Sequence, residues 1–453
     1  MTNNQQQVLL IRFISSFILF MKRNSYAARV VELIYNNPLY KGVFILGSGT
    51  MIAQLIGIVA MPIITRLYTP SDLGILAVYS SILAIIGVGS TFRYEYAYAL
   101  TQKDEDAANL FGLCLVLLFI TTAGLALILF FERELLTNIF DMDIVEQYLW
   151  YLLVSFIGMG LYAILNYWAI RQRDYKRITY TKVTQGVGGI ACKILFGIFS
   201  FGPMGLIIGH IVSQIAGIST LAGAMWRKES KKLNAISING MKNAAKTYKS
   251  FPIFNLPASI VNTISLQLPP LMLLTLYDSQ IVGLYAFAQT LIVLPGSVIS
   301  ASMGQAYLGE ASKMVREKSQ ELRSLYLRTL RHLSIIALPL IGIPALCAPF
   351  VVPIIFGKAW AEAGWYCWPL AIEVMAAFVV SSTSWLEIYS CNHWVLIWDI
   401  IRLIAVLFGF YVCLLFELSP RAAILIYSII MSIMYITYVL ITLKAITRLS
   451  KTF

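Results

Sequence analysis

The chain has 453 residues, of which 59% are hydrophobic and only 12% are charged, with a formal net charge of +12. Soluble proteins carry about 25% charged residues, so a water-soluble fold could not bury this much apolar surface. The mean hydropathy of +0.77 predicts a polytopic membrane protein and excludes a disordered chain, a secreted disulfide scaffold and a soluble enzyme.

Long apolar stretches dominate the sequence. A helix needs about 20 apolar residues to cross the hydrocarbon core of a bilayer. Because these stretches are continuously apolar, they do not fit the alternating strands of a membrane barrel. They predict an all-α protein with twelve transmembrane helices, at 42–64, 73–100, 110–131, 148–170, 183–201, 204–226, 251–277, 281–308, 333–356, 365–389, 394–416 and 422–443.

Residues 8–21 are apolar but too short to span easily, and Arg12 interrupts them. They predict a helix lying in the membrane interface, with its cations near lipid phosphates. Alternatively, Met21 is the true start of the protein. The sequence leaves both possibilities open.

The longest polar connection inside the chain carries seven basic residues and divides the spans six and six. It predicts two six-helix lobes, as in duplicated transporters. A weak internal repeat agrees, because the pair before Gly74, Leu-Tyr, recurs at the same spacing before Gly283. The expected division is a cytoplasmic segment 1–41, an N-lobe 42–226, a basic cytoplasmic linker 227–250, a C-lobe 251–443 and a cytoplasmic tail 444–453.

Lys and Arg residues distribute unequally between the two sets of predicted loops. The set that includes both termini holds 27 of them, and the opposite set holds 4. Cytoplasmic loops carry the excess of Lys and Arg. Both termini are therefore expected in the cytoplasm, and the positive charge indicates membrane topology rather than nucleic-acid binding.

Cations inside predicted spans are candidates for binding an anionic substrate, because intramembrane charges are expensive and usually line a cavity. Arg93 lies near the cytoplasmic end of span two. Lys193 lies ten residues into span five, about 15 Å deep and close to the midplane. Arg402 lies in span eleven. Arg93 could instead snorkel to headgroups, and Lys193 could pair with an acid such as Glu373.

Acidic side chains in the spans are candidates for proton or ion coupling. Glu95 follows Arg93 by two residues, a spacing at which helical side chains diverge. Asp399 precedes Arg402 by three residues, so these two can form an internal salt bridge. Glu373 and Glu387 lie in span ten. Embedded amides such as Gln54 suit sugar hydroxyls or hold helices together.

Prolines concentrate in spans seven and nine. Interior prolines remove backbone hydrogen bonds and tend to kink helices. They predict either hinges for alternating access or static shaping of helix ends. The prolines are Pro252, Pro257, Pro269 and Pro270 in span seven, and Pro339, Pro344, Pro349 and Pro353 in span nine.

No motif for catalysis or metal binding is apparent. The six cysteines and three histidines are scattered without ligand spacing. There is no phosphate loop, zinc-protease motif or nucleophile elbow. We therefore expect neither an enzyme nor a cofactor or metal site.

The segment SGTMIAQLIGIVAMPIITRLYTPSDLGILAVYSS, followed by STFRYEYAYAL, resembles the opening of Wzx-type flippases for O-antigen and capsule repeat units. These belong to the multidrug/oligosaccharidyl-lipid/polysaccharide (MOP) superfamily. The resemblance covers residues 42–110 well and the remainder by topology. The residues that carry it are Arg66, Tyr68, Pro70, Asp72 and Gly74, and then Arg93, Tyr94 and Glu95.

The resemblance implies a fold like that of the MATE drug exporters, with a cavity between two lobes. It also implies a bacterial inner-membrane protein that moves an undecaprenyl-diphosphate-linked oligosaccharide, with membrane lipids and polysaccharide-assembly proteins as partners. Arg66, Arg93, Lys193 and Arg402 are the cations available for the diphosphate. The main alternative is a proton- or sodium-coupled multidrug exporter of the same fold. A membrane glycan polymerase or ligase is a third possibility, although the outer loops are short for one.

Overall fold

The structure is a computed structural model that describes residues 38–131, 148–383, 385–389 and 391–450. The expectations for residues 8–21 and Met21 lie outside these ranges. The described residues form fifteen α-helices: α1 (Pro38–Leu67), α2 (Pro70–Gly87), α3 (Asp104–Phe131), α4 (Leu149–Arg171), α5 (Tyr175–Ile198), α6 (Pro203–Ile215), α7 (Ile218–Leu233), α8 (Ile238–Thr247), α9 (Leu256–Leu276), α10 (Ser279–Arg316), α11 (Leu322–Ala337), α12 (Ile343–Phe356), α13 (Ala361–Thr383), α14 (Asn392–Leu415) and α15 (Pro420–Ser450).

The all-α, polytopic prediction is confirmed. Within the described residues, eleven helices or joined helices are long and apolar enough to cross a membrane. The one predicted span that is not among these eleven is the fifth, at 183–201, which corresponds to α5; this helix has 24 residues but a polar composition that includes Lys182 and Gln185. Because α5 packs extensively against α1 and α6, neighbouring helices shield much of this polar surface.

Span two differs from its prediction, because α2 ends at Gly87 instead of continuing to residue 100. The chain then turns, and Phe92 and Arg93 adopt left-handed φ angles of 52° and 64°. A 3-10 helix follows at Tyr94–Leu100. Arg93 and Glu95 therefore do not lie on one continuous α-helix.

The second helix of each lobe begins with a side-chain cap at the equivalent position. Thr69 and Asp72 form a capping box, in which the Asp72 carboxylate accepts from the Thr69 backbone N–H at 2.8 Å. In the C-lobe, the Asp278 carboxylate accepts from the Ile281 N–H at 2.8 Å. These caps satisfy N–H groups that have no partner within the helix. They fix where α2 and α10 begin.

Two groups of helices form the two lobes. In the N-lobe, α5 packs against α1 and α6, and α3 packs against α4. In the C-lobe, α13 packs between α10 and α15, and α14 packs against α9 and α15. The lobes meet mainly through α2, which packs against both α10 and α9.

We call the two ends of the molecule the crossing end and the linker end. The crossing end is where α2 and α10 begin, at Pro70 and Ser279. The linker end is the opposite one, where residues 234–250 connect the lobes. At the crossing end, an added Cβ on Gly74 would collide with the Ser279 carbonyl, and one on Gly283 would collide with the Pro70 carbonyl. Only glycine allows the two backbones to approach so closely.

The linker is itself folded onto the N-lobe. Helix α8 packs against α3. The Asn109 side chain accepts from the backbone N–H of Ser237 at 2.9 Å, and the Tyr94 hydroxyl donates to the carbonyl of Ala245 at 3.0 Å. The linker is therefore attached to the N-lobe as far as the π-helical turn Phe251–Asn255, where the C-lobe begins.

The proline clusters coincide with helix irregularities. Pro252 lies in the π-helical turn Phe251–Asn255, and Pro339 lies in a second such turn, Leu338–Gly342, between α11 and α12. Pro269 and Pro270 remain inside α9. A π-helical turn shifts the hydrogen-bond register locally, as expected next to proline. The geometry supports shaping of these helices, and hinge motion stays a prediction.

Candidate substrate cavity between the lobes

The lobes contact each other closely at the crossing end and separate toward the linker end. In α10, residues 282–285 are all buried, whereas Ala301, Ser302, Gln305 and Ala306 are exposed. Helix α9 and the π-helical turn before it follow the same gradient, because residues 268–271 of α9 are buried and residues 253–255 of the turn are exposed. The packing of these helices therefore loosens toward the linker end, which is the candidate opening of a cavity between the lobes.

Hydroxyl and amide side chains join the lobes above this opening. The two Oγ atoms of Ser71 and Ser279 lie 2.5 Å apart at the crossing end. Farther along, Ser81 of α2 donates to the Gln267 amide oxygen of α9 at 3.0 Å. Near the middle of α10, Ser297 donates to the Gln54 amide oxygen of α1 at 3.2 Å. Such neutral bonds can exchange partners without leaving a charge unpaired.

Arg93 lies at the linker end of the N-lobe. Its Nη1 donates to the Tyr96 hydroxyl at 2.8 Å, and its guanidinium carbon lies 5.1 Å from the centre of that ring. Tyr96 in turn packs on Tyr167 of α4, with ring centres 4.7 Å apart. The buried Nε of Arg93 has no hydrogen-bond partner among the described residues. A guanidinium group has five N–H donors, and the Tyr96 hydroxyl accepts from one of them.

Glu95 is buried beside Arg93. Its carboxylate accepts from the Thr91 hydroxyl, and its Oε1 lies 4.0 Å from Arg93 Nη1. The expectation that these two side chains diverge is therefore wrong. The left-handed backbone at Arg93 brings them to the limit of ion-pair distance.

The sequence predicts Lys193 near the middle of the membrane-spanning part, but in the structure it lies closer to one end of its helix. Helix α5 begins eight residues earlier than predicted and ends at Ile198. Lys193 therefore lies five residues, or about 8 Å, from the end of α5. Its backbone carbonyl accepts from the Tyr68 hydroxyl at 2.6 Å, close to the crossing end. No ion pair joins its ammonium to Glu373 or to any other acid in the described ranges.

Two further basic groups accompany Lys193 in the N-lobe and were missed as candidates. Lys182 lies eleven residues earlier on α5, which is three helical turns, so both lysines share one face. Its ammonium lies 5.1 Å from the centre of the Tyr162 ring. His210 of α6 packs edge-on against Tyr79, with ring centres 6.1 Å apart. The eleven-residue spacing was the available signal, but the predicted start of span five at residue 183 left Lys182 in a loop.

The C-lobe holds a buried charge centre on α14. Arg402 Nη2 lies 2.9 Å from Asp399 Oδ1, with side-chain exposures of 4% and 7%. The same nitrogen donates to the Asn262 amide oxygen of α9 at 2.8 Å. The guanidinium carbon lies 4.6 Å from the centre of the Trp398 ring. The salt bridge predicted from the spacing of Asp399 and Arg402 is therefore present.

Glu373 of α13 lies near the same centre. It is 5% exposed, and its Oε2 has no hydrogen-bond partner among the residues that the structure describes. It lies twelve residues into α13, about 18 Å from the crossing-end terminus of that helix. A buried carboxyl group with a free oxygen can take up a proton, which suits a coupling role. The side chain of Glu387 lies outside the described residues.

The four proposed substrate-binding cations are not brought together. Arg66 is exposed at the crossing end of α1, whereas Arg93 lies at the linker end. Lys193 faces α6, where its Cγ leaves no room for a Cβ on Gly209. Arg402 is committed to Asp399 within the C-lobe. These four cations therefore lie at separate positions in the two lobes.

Comparison with known families decides the affiliation. Residues 63–364, two-thirds of the chain, match the family model described as "Polysaccharide biosynthesis protein". The chain belongs to this polysaccharide biosynthesis family. No curated protein sequence matches it significantly.

Solved structures share the fold of this family member at low sequence identity. An inward-facing MATE multidrug resistance transporter of the MOP superfamily superposes with a TM-score of 0.66, at 15% identity, over 90% of this chain and 94% of that one. An outward-facing MATE transporter gives 0.55, at 16% identity, over 93% and 99%. A MOP superfamily transporter from Pyrococcus furiosus, described as having a binding pocket of reverse polarity, gives 0.55, at 15% identity, over 92% and 98%. The predicted MATE-like fold is confirmed.

Proposed function

We propose that this polysaccharide biosynthesis family member is a flippase for undecaprenyl-diphosphate-linked oligosaccharide repeat units, of O-antigen or capsule type, in the bacterial inner membrane. The family match and the transporter fold support a transporter in polysaccharide assembly rather than an enzyme. The lipid tail would stay in the bilayer while the glycan and the diphosphate pass between the lobes. Polysaccharide-assembly proteins are the expected partners.

The observation that carries the proposal is the pair of lysines on α5 that lack acidic partners. Lys182 and Lys193 lie on one face of a membrane helix, and no ion pair in the described ranges neutralises them. Unpaired charges in a membrane helix are rare and usually mark a substrate pathway. A diphosphate is an anion that such cations stabilise through charge-assisted hydrogen bonds.

The proposed mechanism is alternating access between two lobe arrangements. The close packing of the lobes at the crossing end and their looser packing at the linker end support a state that opens at the linker end as one of the two. The excess of Lys and Arg in the linker-end loops supports a cytoplasmic linker end, with both termini cytoplasmic. The higher TM-score to the inward-facing MATE structure agrees with that orientation.

In this mechanism, Arg93 would meet the diphosphate first, at the cytoplasmic opening. The α5 lysines would receive it farther in, and the diphosphate would reach Arg402 and Arg66 only after the lobes rearrange. Among the acids, Glu373 is the strongest coupling candidate because its Oε2 is buried and free. Asp399 and Glu95 are already engaged by Arg402 and Thr91, so they would couple only by exchanging partners.

The second candidate function is a cation-coupled multidrug exporter. The buried carboxyl groups of Glu373 and Asp399 favour it, because they could bind a proton or a cationic drug. The unpaired lysines of the N-lobe oppose it, since they would repel cationic drugs. The reverse polarity described for the binding pocket of the Pyrococcus furiosus transporter indicates that pocket polarity varies within the MOP superfamily.

The test is complementation of surface-glycan export in a strain that lacks its own flippase. Lys182→Ala/Lys193→Ala should abolish export at unchanged protein level in the membrane. Lys176→Ala is the matched control, because Lys176 is exposed on the same helix. Full export by the double variant would contradict the proposal. Drug resistance conferred by the wild-type protein, without glycan export, would favour the exporter.

A further inference from the structure

A second candidate site lies in the C-lobe, away from the contact between the lobes. A cavity of about 580 Å³ opens at the linker end between α11, α14 and α15. Three cations line it: Arg323 of α11, and Lys444 and Arg448 of α15. No ion pair joins any of them to an acid in the part of the chain that the structure describes. Such a cavity favours an anion.

An apolar cavity of about 320 Å³ continues along the same two helices toward the membrane. Its walls include Leu330 and Ala337 of α11 and Val439 and Leu440 of α15, and its floor includes Ala376 of α13. From Arg323 to Ala337, α11 rises about 21 Å, two-thirds of the hydrocarbon thickness of a bilayer. The two cavities share no lining residue but follow one another along α11 and α15, basic at the linker end and apolar beyond it, and we call them together the groove.

The groove faces away from the proposed transport route. Helices α11, α13 and α15 pack extensively only against elements of the C-lobe. Large apolar side chains beside the groove, including Ile336, Ile436 and Leu440, are exposed, as expected for a lipid-facing surface. Trp394 lines the basic cavity, and the Lys444 ammonium lies 6.0 Å from the centre of its ring. Tryptophan favours the headgroup level of membranes.

From this arrangement we infer that the groove between α11 and α15 binds an anionic phospholipid of the leaflet at the linker end. The phosphate would lie among Arg323, Lys444 and Arg448, and an acyl chain would lie along the apolar cavity. Basic pockets between membrane helices on the cytoplasmic side recognise anionic headgroups in this way. The apolar continuation argues against a soluble anion as the ligand. The inference does not depend on what the lobes transport.

The experiment measures quenching of Trp394 fluorescence by phospholipids with brominated acyl chains, using the full-length protein in detergent. Subtracting the signal of the matching Trp394→Phe background isolates this residue among the nine tryptophans. Brominated phosphatidylglycerol should quench it at lower concentration than brominated phosphatidylcholine. Arg323→Gln/Lys444→Gln/Arg448→Gln should weaken the phosphatidylglycerol affinity by about 100-fold, because each basic residue contributes roughly fivefold.

The matched control is Arg316→Gln/Arg328→Gln/Arg331→Gln, which removes three exposed cations from α10 and α11 outside the groove. It should change the affinity less than about fivefold, the effect of one surface charge. Ala376→Phe, which fills the apolar cavity without changing charge, should weaken binding severalfold. Both results would support a built site for headgroup and chain.

Four outcomes would overturn the inference. Equal losses in the two triple variants would mean diffuse attraction by surface charge. No preference for phosphatidylglycerol would mean that the anion is not recognised. Competition by inorganic phosphate as effective as that by phosphatidylglycerol would indicate a soluble-anion site. Competition by undecaprenyl phosphate at far lower concentration would assign the groove to the transport substrate instead.

Discussion

Gly74 and Gly283 meet backbone to backbone where α2 of the N-lobe crosses α10 of the C-lobe. Each glycine faces a backbone carbonyl of the other helix, that of Ser279 or Pro70. The two positions are equivalent in the two lobes, because each lies five residues after a capping residue, Thr69 or Asp278. The crossing is therefore symmetric, and it brings together the same structural element from both halves of the chain.

The first prediction concerns this crossing. A disulfide between Ser71→Cys and Ser279→Cys should form on oxidation, because the native Oγ atoms lie 2.5 Å apart. It should lock the lobes at the crossing end, abolish glycan export and be reversed by a reductant. Non-reducing electrophoresis and a cell-surface glycan assay measure the two effects. As a control, Ser80→Cys/Ser279→Cys should not cross-link, because Ser80 lies about 14 Å farther along α2 than Ser71. Export that continues in the oxidised, cross-linked protein would contradict the proposed movement.

The second prediction tests the need for glycine. Gly74→Ala should push the lobes apart at the crossing end, since the added methyl group meets the Ser279 carbonyl. Overpacking of this kind costs about 1–3 kcal/mol, so the closed arrangement should lose population and the Ser71–Ser279 cysteine pair should cross-link more slowly. Gly124→Ala is the control, because nothing lies within 4 Å of its added Cβ. Unchanged cross-linking in Gly74→Ala would refute the prediction.

The third prediction separates stability from function at the C-lobe charge centre. Asp399→Leu should destabilise the protein by about 3–5 kcal/mol, because it leaves the buried Arg402 guanidinium without its carboxylate. Asp399→Leu/Arg402→Met should recover most of that loss, since a buried ion pair replaced by apolar side chains is often near neutral. Thermal unfolding in detergent measures both. A double variant as unstable as the single one would show that the pair itself stabilises the lobe.

The fourth prediction addresses Arg93. Arg93→Ala should reduce glycan export severalfold at matched protein level, and Arg93→Lys should restore it only in part, because an ammonium lacks the planar donor fork. Arg173→Ala is a suitable control, since Arg173 is an exposed arginine with a similar left-handed φ of 56°. Equal export by Arg93→Ala and Arg173→Ala would assign Arg93 a structural role only.

The fifth prediction concerns orientation. A reporter inserted after Lys232 should lie in the cytoplasm, and one inserted at Gly357 should lie on the other side of the membrane. Gly357 occupies a turn with φ of 103° between α12 and α13, at the crossing end. Activity of both reporters in the same compartment would invalidate the topology deduced from the Lys and Arg distribution.

Hydropathy predicted the number and order of the helices well, because membrane helices must be long and apolar. It was less accurate where polarity is shielded by other helices. The start of α5 was placed at residue 183 instead of Tyr175, since averaging over a polar segment cannot recognise a helix covered by α1 and α6. That error displaced Lys193 by eight residues, or about two helical turns, toward the crossing end, and concealed Lys182.

The local chemistry of the site was predictable only where it depends on spacing along one helix. The pairing of Asp399 with Arg402 follows from their three-residue separation. The approach of Arg93 to Glu95 depends on a left-handed residue after α2, which the helical prediction did not consider. The contact of Arg402 with Asn262 and the stacking of Arg93 on Tyr96 depend on tertiary packing and on side-chain direction.

The attachment of α8 to Asn109 has a practical consequence for dividing the gene. A protein expressed as two separate polypeptides should reassemble best if the break follows residue 250 rather than residue 227. The first fragment then retains Ser237 and Ala245, whose backbone groups bind Asn109 and Tyr94. The second fragment begins directly at the π-helical turn Phe251–Asn255. The N-terminal polypeptide would thus retain helix α8, which packs over the start of α3. The C-terminal polypeptide would carry no linker residues before its first helical turn.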